Sequence, residues 1–467
     1  MTQLTREVGA FIAGLRFEAV PDEAVGVVRN GFTDCVGVTI AGRNEDVVRI
    51  LRTVRKSGAA TGESRICFGR DCASAPEAAL INGAAAHVLD YDDIGLNGLQ
   101  PTHPSAVLVP AIIAEGQALR RSGRDMIEAY VAGYEVWGEL AARERRPYHD
   151  KGWHPTATFG AIAAGAAAAK LHRLSPGDAA RAVAISASQA GGLVANFGSM
   201  TKSFHAGRAA SAGIFSARLA AAGMTASVEA IEHKRGFLSA MSPAGDFDVD
   251  SPVRLGRHWW LVADGLGFKF YPMCYATHRA LDGLIALAKE HDLPPDEIVD
   301  IDLEVSQAHV VNLIHHEPRT ALDAKFSMEF AAAAAIIAGR VSLCEVVDEF
   351  VCRPDVQELM RKVRMTFLPA SDPSLHRLVS GDGAIVTLKN GRRLERRFDL
   401  PFGHPKRPVD VNMLWTKFAD CTRDAFDESA AKAFFTLLQR LDSVESVDEF
   451  PVVFDTFENA NGLRQRG

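Results

Sequence analysis

The stretch Pro155–Ala169, PTATFGAIAAGAAAA, carries no charge in fifteen residues. A bilayer-spanning helix needs roughly 20 apolar residues, so this run is too short to cross a membrane. Alanine is the strongest helix former, and Pro155 suits a first helical position. Small residues on every side let neighbours approach closely all round, as in the central layer of a helical bundle. The segment therefore predicts a fully buried helix. His205–Gly223, HAGRAASAGIFSARLAAAG, has the same texture.

The surrounding segments agree. In AVGVVRNGFTDCVGVTIAG, Ala24–Gly42, residues Val25, Val28, Phe32 and Val36 fall on one helical stripe. PEAALINGAAAHVLD and DMIEAYVAGYEVWGELA repeat the helical pattern. Near residue 250 the texture changes. IVDIDLEV alternates, with Ile301, Leu303 and Val305 on one face. VRMTFLPA is a second candidate strand. AIVTLKNGRRLERRF places Asn390-Gly391 between two alternating runs, the pair that a type I′ hairpin favours. A helix, AKFSMEFAAAAAIIAGR, lies between these strands. After PFGHPKRP the chain returns to amphipathic helices. The fold class predicted is mainly α: residues 1–264 as an all-helical domain, 265–402 as a smaller α+β domain, and 403–467 as helices rejoining the first.

The bulk numbers exclude several functions. The chain has 467 residues and a formal net charge of −7, which gives no hint of nucleic-acid binding. Seven dispersed cysteines point to a reducing compartment rather than a disulfide framework. Cys67 and Cys72 are close, but nothing completes a zinc pattern. The N-terminus lacks a basic region followed by an apolar one, so the expected location is cytoplasmic.

Polar residues set in apolar, small-residue segments are the informative ones. HVLDYDDIGLNGLQPTHPS, His87–Ser105, carries Asp90, Asp92 and Asp93, then a loop with Asn97, then His103 and Ser105, which is placed to cap the next helix. RRPYHDKGWHPTATFGA brings His149 and His154 to the entry of the buried helix. GSMTKSFHAGRAASAG sets Lys202, His205 and Arg208 among small residues, where a lysine is costly to bury without an anion. KFYPMCYATHRALDG places Lys269, Tyr271, Cys274 and His278 at the expected domain junction. If they converge, these groups make a cationic site with one or two carboxylates, suited to a substrate with two or three carboxylates. A metal site is the competing reading, since His87, Asp90 and Asp93 fall near one helix face. The aspartate spacing of Mg²⁺-dependent prenyl-diphosphate enzymes is absent, however, because Asp92-Asp93 runs into Ile-Gly-Leu.

At these residues the sequence resembles the MmgE/PrpD family, which includes 2-methylcitrate dehydratase, cis-aconitate decarboxylase and iminodisuccinate epimerase. The resemblance lies in five motifs in one order: HVLDYDD…THPS, GWHPTATFG, SQAGGL…GSMTKSFHAGRAASAG, KFYPMCYATH and AKFSMEFAAAA. It implies a large all-helical domain with an inserted α+β lid domain, a homodimer, and no metal or organic cofactor. It implies catalytic roles for Asp93, His103, His154, Lys202 and His278. Asn97, Ser105, His205, Arg208, Lys269 and Tyr271 are the expected substrate-binding residues. One departure stands out: the family's dehydratases and decarboxylases commonly continue the Asp-Asp pair with Thr-Trp, where this chain has Ile94-Gly95. The expected activity is a cofactor-independent hydro-lyase of the 2-methylcitrate dehydratase type, acting on a small di- or tricarboxylic acid through an enolate-like intermediate. An epimerase or a decarboxylase on a similar acid is the second expectation, and a non-catalytic carboxylate-binding protein the third. The expected partner is the small polycarboxylate itself, without nucleic acid or membrane.

Overall fold

The computed structural model describes residues 3–56, 62–96, 100–306, 310, 313–368 and 382–453. It is mostly helical, with a small sheet. The first part of the chain forms α1 (Leu4–Gly14), α2 (Asp22–Ala41), α3 (Asp46–Lys56), α4 (Ala75–His87), α5 (Pro104–Leu119), α6 (Gly123–Ala141), α7 (Pro155–Leu171), α8 (Pro176–Ala187) and α9 (Met200–Ala221). No described helix is long and apolar enough to cross a membrane. All seven cysteines are free thiols.

α7 is formed by the uncharged alanine-rich stretch, and every one of its residues is buried. It packs against α5, α6, α8 and α9. Glycine permits a close crossing of α4 on α9. A Cβ on Gly207 would stand 2.0 Å from the Leu80 carbonyl oxygen, and one on Gly83 would stand 2.7 Å from Gly207 Cα. The two helix backbones are in contact there, which fixes α9 and the side chains it carries. On α2, Val25, Val28, Phe32 and Val36 are all buried, as their stripe requires. Helices Val411–Thr422 and Glu428–Gln439 pack back on α2. Their Leu414, Phe418, Phe434 and Leu438 share one hydrophobic core with residues of α1–α9.

A second core gathers apolar residues between Tyr271 and Leu394. After a two-residue ribbon of β1 (Ser64–Arg65) and β2 (Cys72–Ala73), the main sheet contains β3 (Ile298–Ser306), β4 (Val363–Leu368), β5 (Asp382–Leu388) and β6 (Arg393–Phe398) in the order β4-β3-β5-β6. β3 runs parallel to β4 and antiparallel to β5, with Leu303 beside both Met365 and Ala384. Ile301, Leu303 and Val305 are fully buried and share this core with apolar residues of helices His278–His291 and Met328–Ala338. The Asn390-Gly391 hairpin is present, but only Gly391 of the pair has positive φ, at 81°. The turn is therefore not the type I′ form, which needs positive φ at both residues. Four residues, not two, separate β5 from β6, and the longer loop relieves Asn390 of that demand.

Candidate active site: a lysine–aspartate–histidine cluster

The segment after α4 carries three aspartates in four residues, and the structure sends them in different directions. Asp90 has φ of 50°, a left-handed conformation that costs an ordinary residue about 1 kcal/mol or more and persists only where the surroundings impose it. This kink points the Asp90 carboxylate at two buried ammonium groups. Lys202 Nζ is 2.5 Å from one oxygen and Lys269 Nζ is 3.2 Å from the other. Lys202 comes from the first turn of α9 and lies over the rings of Phe197 and Phe326. Lys269 also donates to the carbonyls of Asp90 (2.9 Å) and Met273 (3.2 Å). Lys325, buried as well, donates to the Val88 carbonyl at 3.1 Å. Burial alone would raise the Asp90 carboxyl, but Lys202 and Lys269 outweigh it and hold the group well below the usual carboxylate range. It is an anion at any working pH.

Asp92 pairs instead with imidazoles. His87 Nδ1 and His103 Nδ1 each lie 2.9 Å from it. Burial pushes the Asp92 carboxyl up, and the two histidines hold it well down. His103 is the N-cap residue of α5 and His154 that of α7, each followed by proline as the first helical residue. The rings form a connected wall: His87 and His103 centroids are 4.4 Å apart, His87 and His154 5.9 Å. His154 Nδ1 lies 3.2 Å from His205 Nδ1, so one ring donates its N–H and the other accepts. Burial lowers all four histidines. His87 falls to about 4, burial outweighing Asp92, and His154 falls well below its ordinary value, with His87 and Lys202 adding to burial. His103 and His205 move the same way. The substrate-free rings are therefore neutral near pH 7 and ready to accept protons. Because His103 Nδ1 is turned to Asp92, its Nε2 is the nitrogen left for a bound molecule.

Other expected site residues land elsewhere. Asp93 does not face the lysines. Its carboxylate accepts from the Ser105 backbone N–H at 3.2 Å and from the Ser105 hydroxyl, so it caps α5. Burial, reinforced by Asp34, raises it well above the carboxylate range. Ser105 is thus not the capping residue that its THPS context suggested. It lies inside the helix, fully buried, its hydroxyl shared between Asp93 and Tyr130. Arg208 is exposed, and its guanidinium donates to the Gln189 side-chain oxygen at 3.3 Å. The Tyr271 hydroxyl donates to Asp282 at 2.6 Å, which engages it outside the cluster. His278 stands behind Lys269: its Nε2 is 3.3 Å from the same Met273 carbonyl, and its ring packs between Tyr271 and Tyr275. Asn97 lies outside the described residues.

His103, His154, Lys202, His205 and Lys269 therefore come together, joined by His87, Asp90, Asp92 and Lys325, which the sequence did not single out for these roles. Their signal was position: His87 and Asp90 end a buried apolar helix, and Lys325 precedes a buried one. One ligand atom from each of His87, Asp90, Asp92 and His103 lies within 4.8 Å of the others, close enough for an ion. The donor chemistry argues otherwise. Both Asp90 oxygens are taken by ammonium groups and Asp92 by two imidazoles, so an ion would have to displace two ammonium groups and two hydrogen-bonded rings already in place. As built, the cluster offers cations for carboxylates, neutral imidazoles for protons, and ionised carboxylates that orient both.

Comparison with known proteins adds a second line of evidence. Residues 6–250 match the MmgE/PrpD N-terminal domain and residues 271–443 the MmgE/PrpD C-terminal domain. The chain is 28% identical over 459 residues to cis-aconitate decarboxylase of Mus musculus, spanning 95% of this chain and 92% of the relative. It is 28% identical over 462 residues to the Homo sapiens protein of the same name, spanning 95% and 93%. Cis-aconitate decarboxylase of Aspergillus terreus is 24% identical over 393 residues, 79% of each chain.

Proposed function

Since the chain belongs to the MmgE/PrpD family, we propose that it is a polycarboxylate lyase working by metal-free acid–base chemistry at the Lys202–Asp90–Lys269 and His87–Asp92–His103 groups. The observation that carries this is the meeting of two buried ammonium groups with Asp90, and of neutral imidazoles with Asp92, on one short loop. Substrate carboxylates bind the cationic side, where Lys202 and the entries of α5 and α7 face them and Lys269 adds its charge from behind Asp90. The same cations stabilise the enolate-like charge that builds beside a carboxylate.

In the first reading the reaction is a dehydration of the 2-methylcitrate type. A neutral imidazole, His103 or His154, takes the proton from the carbon next to a carboxylate. The electron pair becomes the new double bond as the C–O bond breaks, and the departing hydroxide takes a proton from a neighbouring acid. Neutral imidazoles favour this proton-abstracting start. Decarboxylation of a cis-aconitate-like acid is the second reading, favoured by the full-length likeness to proteins of that name. There the C–C bond breaks, carbon dioxide leaves, and the electron pair left behind is stabilised by the cations and then takes a proton from the Lys202 ammonium, which solvent reprotonates. Epimerisation would use the same two proton-transfer groups.

The finer architecture goes with this proposal. Residues of about 265–402 act as a lid whose closure gates turnover, and the working form is a homodimer without organic cofactor. Scattered free thiols support a cytoplasmic setting. The test is a panel of citrate-, aconitate- and aspartate-like acids followed by proton NMR in D₂O, with and without EDTA. Turnover insensitive to EDTA is expected. Loss of activity with EDTA, restored by one divalent ion, would replace the metal-free reading. No turnover or exchange of any acid would leave a carboxylate-binding protein.

A further inference from the structure

The loop that carries Asp90 and Asp92 is held by three buried lysines, each donating to a different backbone carbonyl. Lys325 takes Val88, Lys269 takes Asp90, and Lys417 takes Tyr91 at 2.7 Å. Lys269 also pairs with the Asp90 carboxylate. Lys417 does not. It comes from helix Val411–Thr422, far along the chain, and reaches the loop from behind. Its Nζ is 2.5 Å from Asp34 on α2 and 4.1 Å from the centre of the Tyr91 ring. Its side chain is only 2% exposed and that of Asp34 is fully buried.

Tyr91 separates the two carboxylates of the site. The left-handed Asp90 sends one of them to the lysines, and Asp92 goes to the histidines. A loop with such a kink keeps its shape only if its surroundings fix it, and the carbonyl between the two carboxylates is fixed by Lys417. We infer that Lys417, anchored by Asp34, is a positioning residue of the active site, setting the directions of Asp90 and Asp92 through the Tyr91 carbonyl. This rests on the reading that Asp90 and Asp92 serve the reaction. It gives the C-terminal helices a catalytic consequence without any contact to substrate.

Lys417→Met alone leaves the Asp34 charge buried without its partner, and unfolding would then explain any loss. The main variant is therefore Lys417→Met combined with Asp34→Asn, which removes both charges. Lys417→Arg, which keeps the charge but moves the donor, is read in the same way should the double variant not fold. Two quantities are measured. One is kcat and KM on whichever acid of the panel the wild type turns over. The other is the ¹⁵N resonances of the His87 and His103 rings in substrate-free protein, with His172, bound to Glu115 elsewhere, as the reference. The expected result is a folded protein with kcat lowered about 10²-fold, the order that a 1 Å misplacement costs, and KM changed by less than about threefold. The His87 and His103 resonances shift and His172 stays. Unmoved resonances, or wild-type kcat, overturn the inference. If the wild type turns over no acid, the proposed function fails, while the ring resonances still decide whether Lys417 sets the loop.

Discussion

Lys202→Met is the perturbation whose outcome follows most directly from the geometry. Lys202 and Asp90 meet at 2.5 Å with side chains 9% and 5% exposed. Breaking a buried pair by removing one partner costs about 3–5 kcal/mol, because the remaining charge is left desolvated. Here Asp90 keeps Lys269 at 3.2 Å, so the low end applies, about 3 kcal/mol of unfolding free energy. Adding Asp90→Asn removes the stranded charge. The double variant should then be more stable than the sum of the single losses by about 2 kcal/mol, a coupling within the range of contacting pairs. Activity should behave differently. Losing one preorganised donor to a developing oxyanion costs about 10²–10³ in kcat, and Asp90→Asn supplies no new donor, so activity does not recover. Urea unfolding followed by circular dichroism gives the stabilities, and the acid panel gives kcat. If Lys202→Met unfolds within about 1 kcal/mol of wild type, or if the double variant regains activity, the buried pair is not the element described.

Three other outcomes are expected. His87 falls from 6.5 to about 4 in the folded protein. A depressed value means that its contribution to stability is full above pH 6.5 and is lost as pH falls toward 4, by about 3 kcal/mol; unfolding free energy measured from pH 7 to 4 should drop more steeply in wild type than in His87→Asn, and parallel curves would contradict this. His103→Gln and His154→Gln should each slow solvent-deuterium exchange at the carbon beside the substrate carboxylate by roughly 10²-fold while weakening polycarboxylate binding far less, and near-wild-type exchange in both would return these histidines to scaffolding. Gly207→Ala drives a methyl group to 2.0 Å from the Leu80 carbonyl oxygen and should destabilise by about 1–3 kcal/mol, read as a lowered Tm; an unchanged Tm would mean that α4 and α9 separate freely.

Much of the fold was legible because it is written in local pattern. Alanine on every side of Pro155–Ala169 can only mean close neighbours, and all of α7 is buried. The alternation of Ile301, Leu303 and Val305 is the period of a strand with one buried face. The site was legible in its ingredients but not in their pairing. Three aspartates within four residues gave no way to tell which meets the lysines, since that depends on the backbone reversal at Asp90. Asp93 looked equivalent and instead caps α5. Arg208 is three residues beyond His205, a same-face neighbour on a helix, so spacing alone could not show that it is exposed and bonded to Gln189. Lys325 and Lys417 join the loop through tertiary contacts from distant segments, which local pattern does not encode. Lys417 did leave a trace, as a lysine on the apolar stripe that Leu414, Phe418 and Cys421 bury.

The central claim is that the Lys202–Asp90–Lys269 group and the histidine wall form the site where substrate carboxylates bind. Its most direct test is a crystal structure with tricarballylate, a saturated tricarboxylate that offers no hydroxyl to eliminate. The account places one carboxylate against Lys202, with the adjacent carbon within reach of His103 or His154. Tricarballylate seated away from these residues, in crystals of protein that turns over its acid, would contradict it.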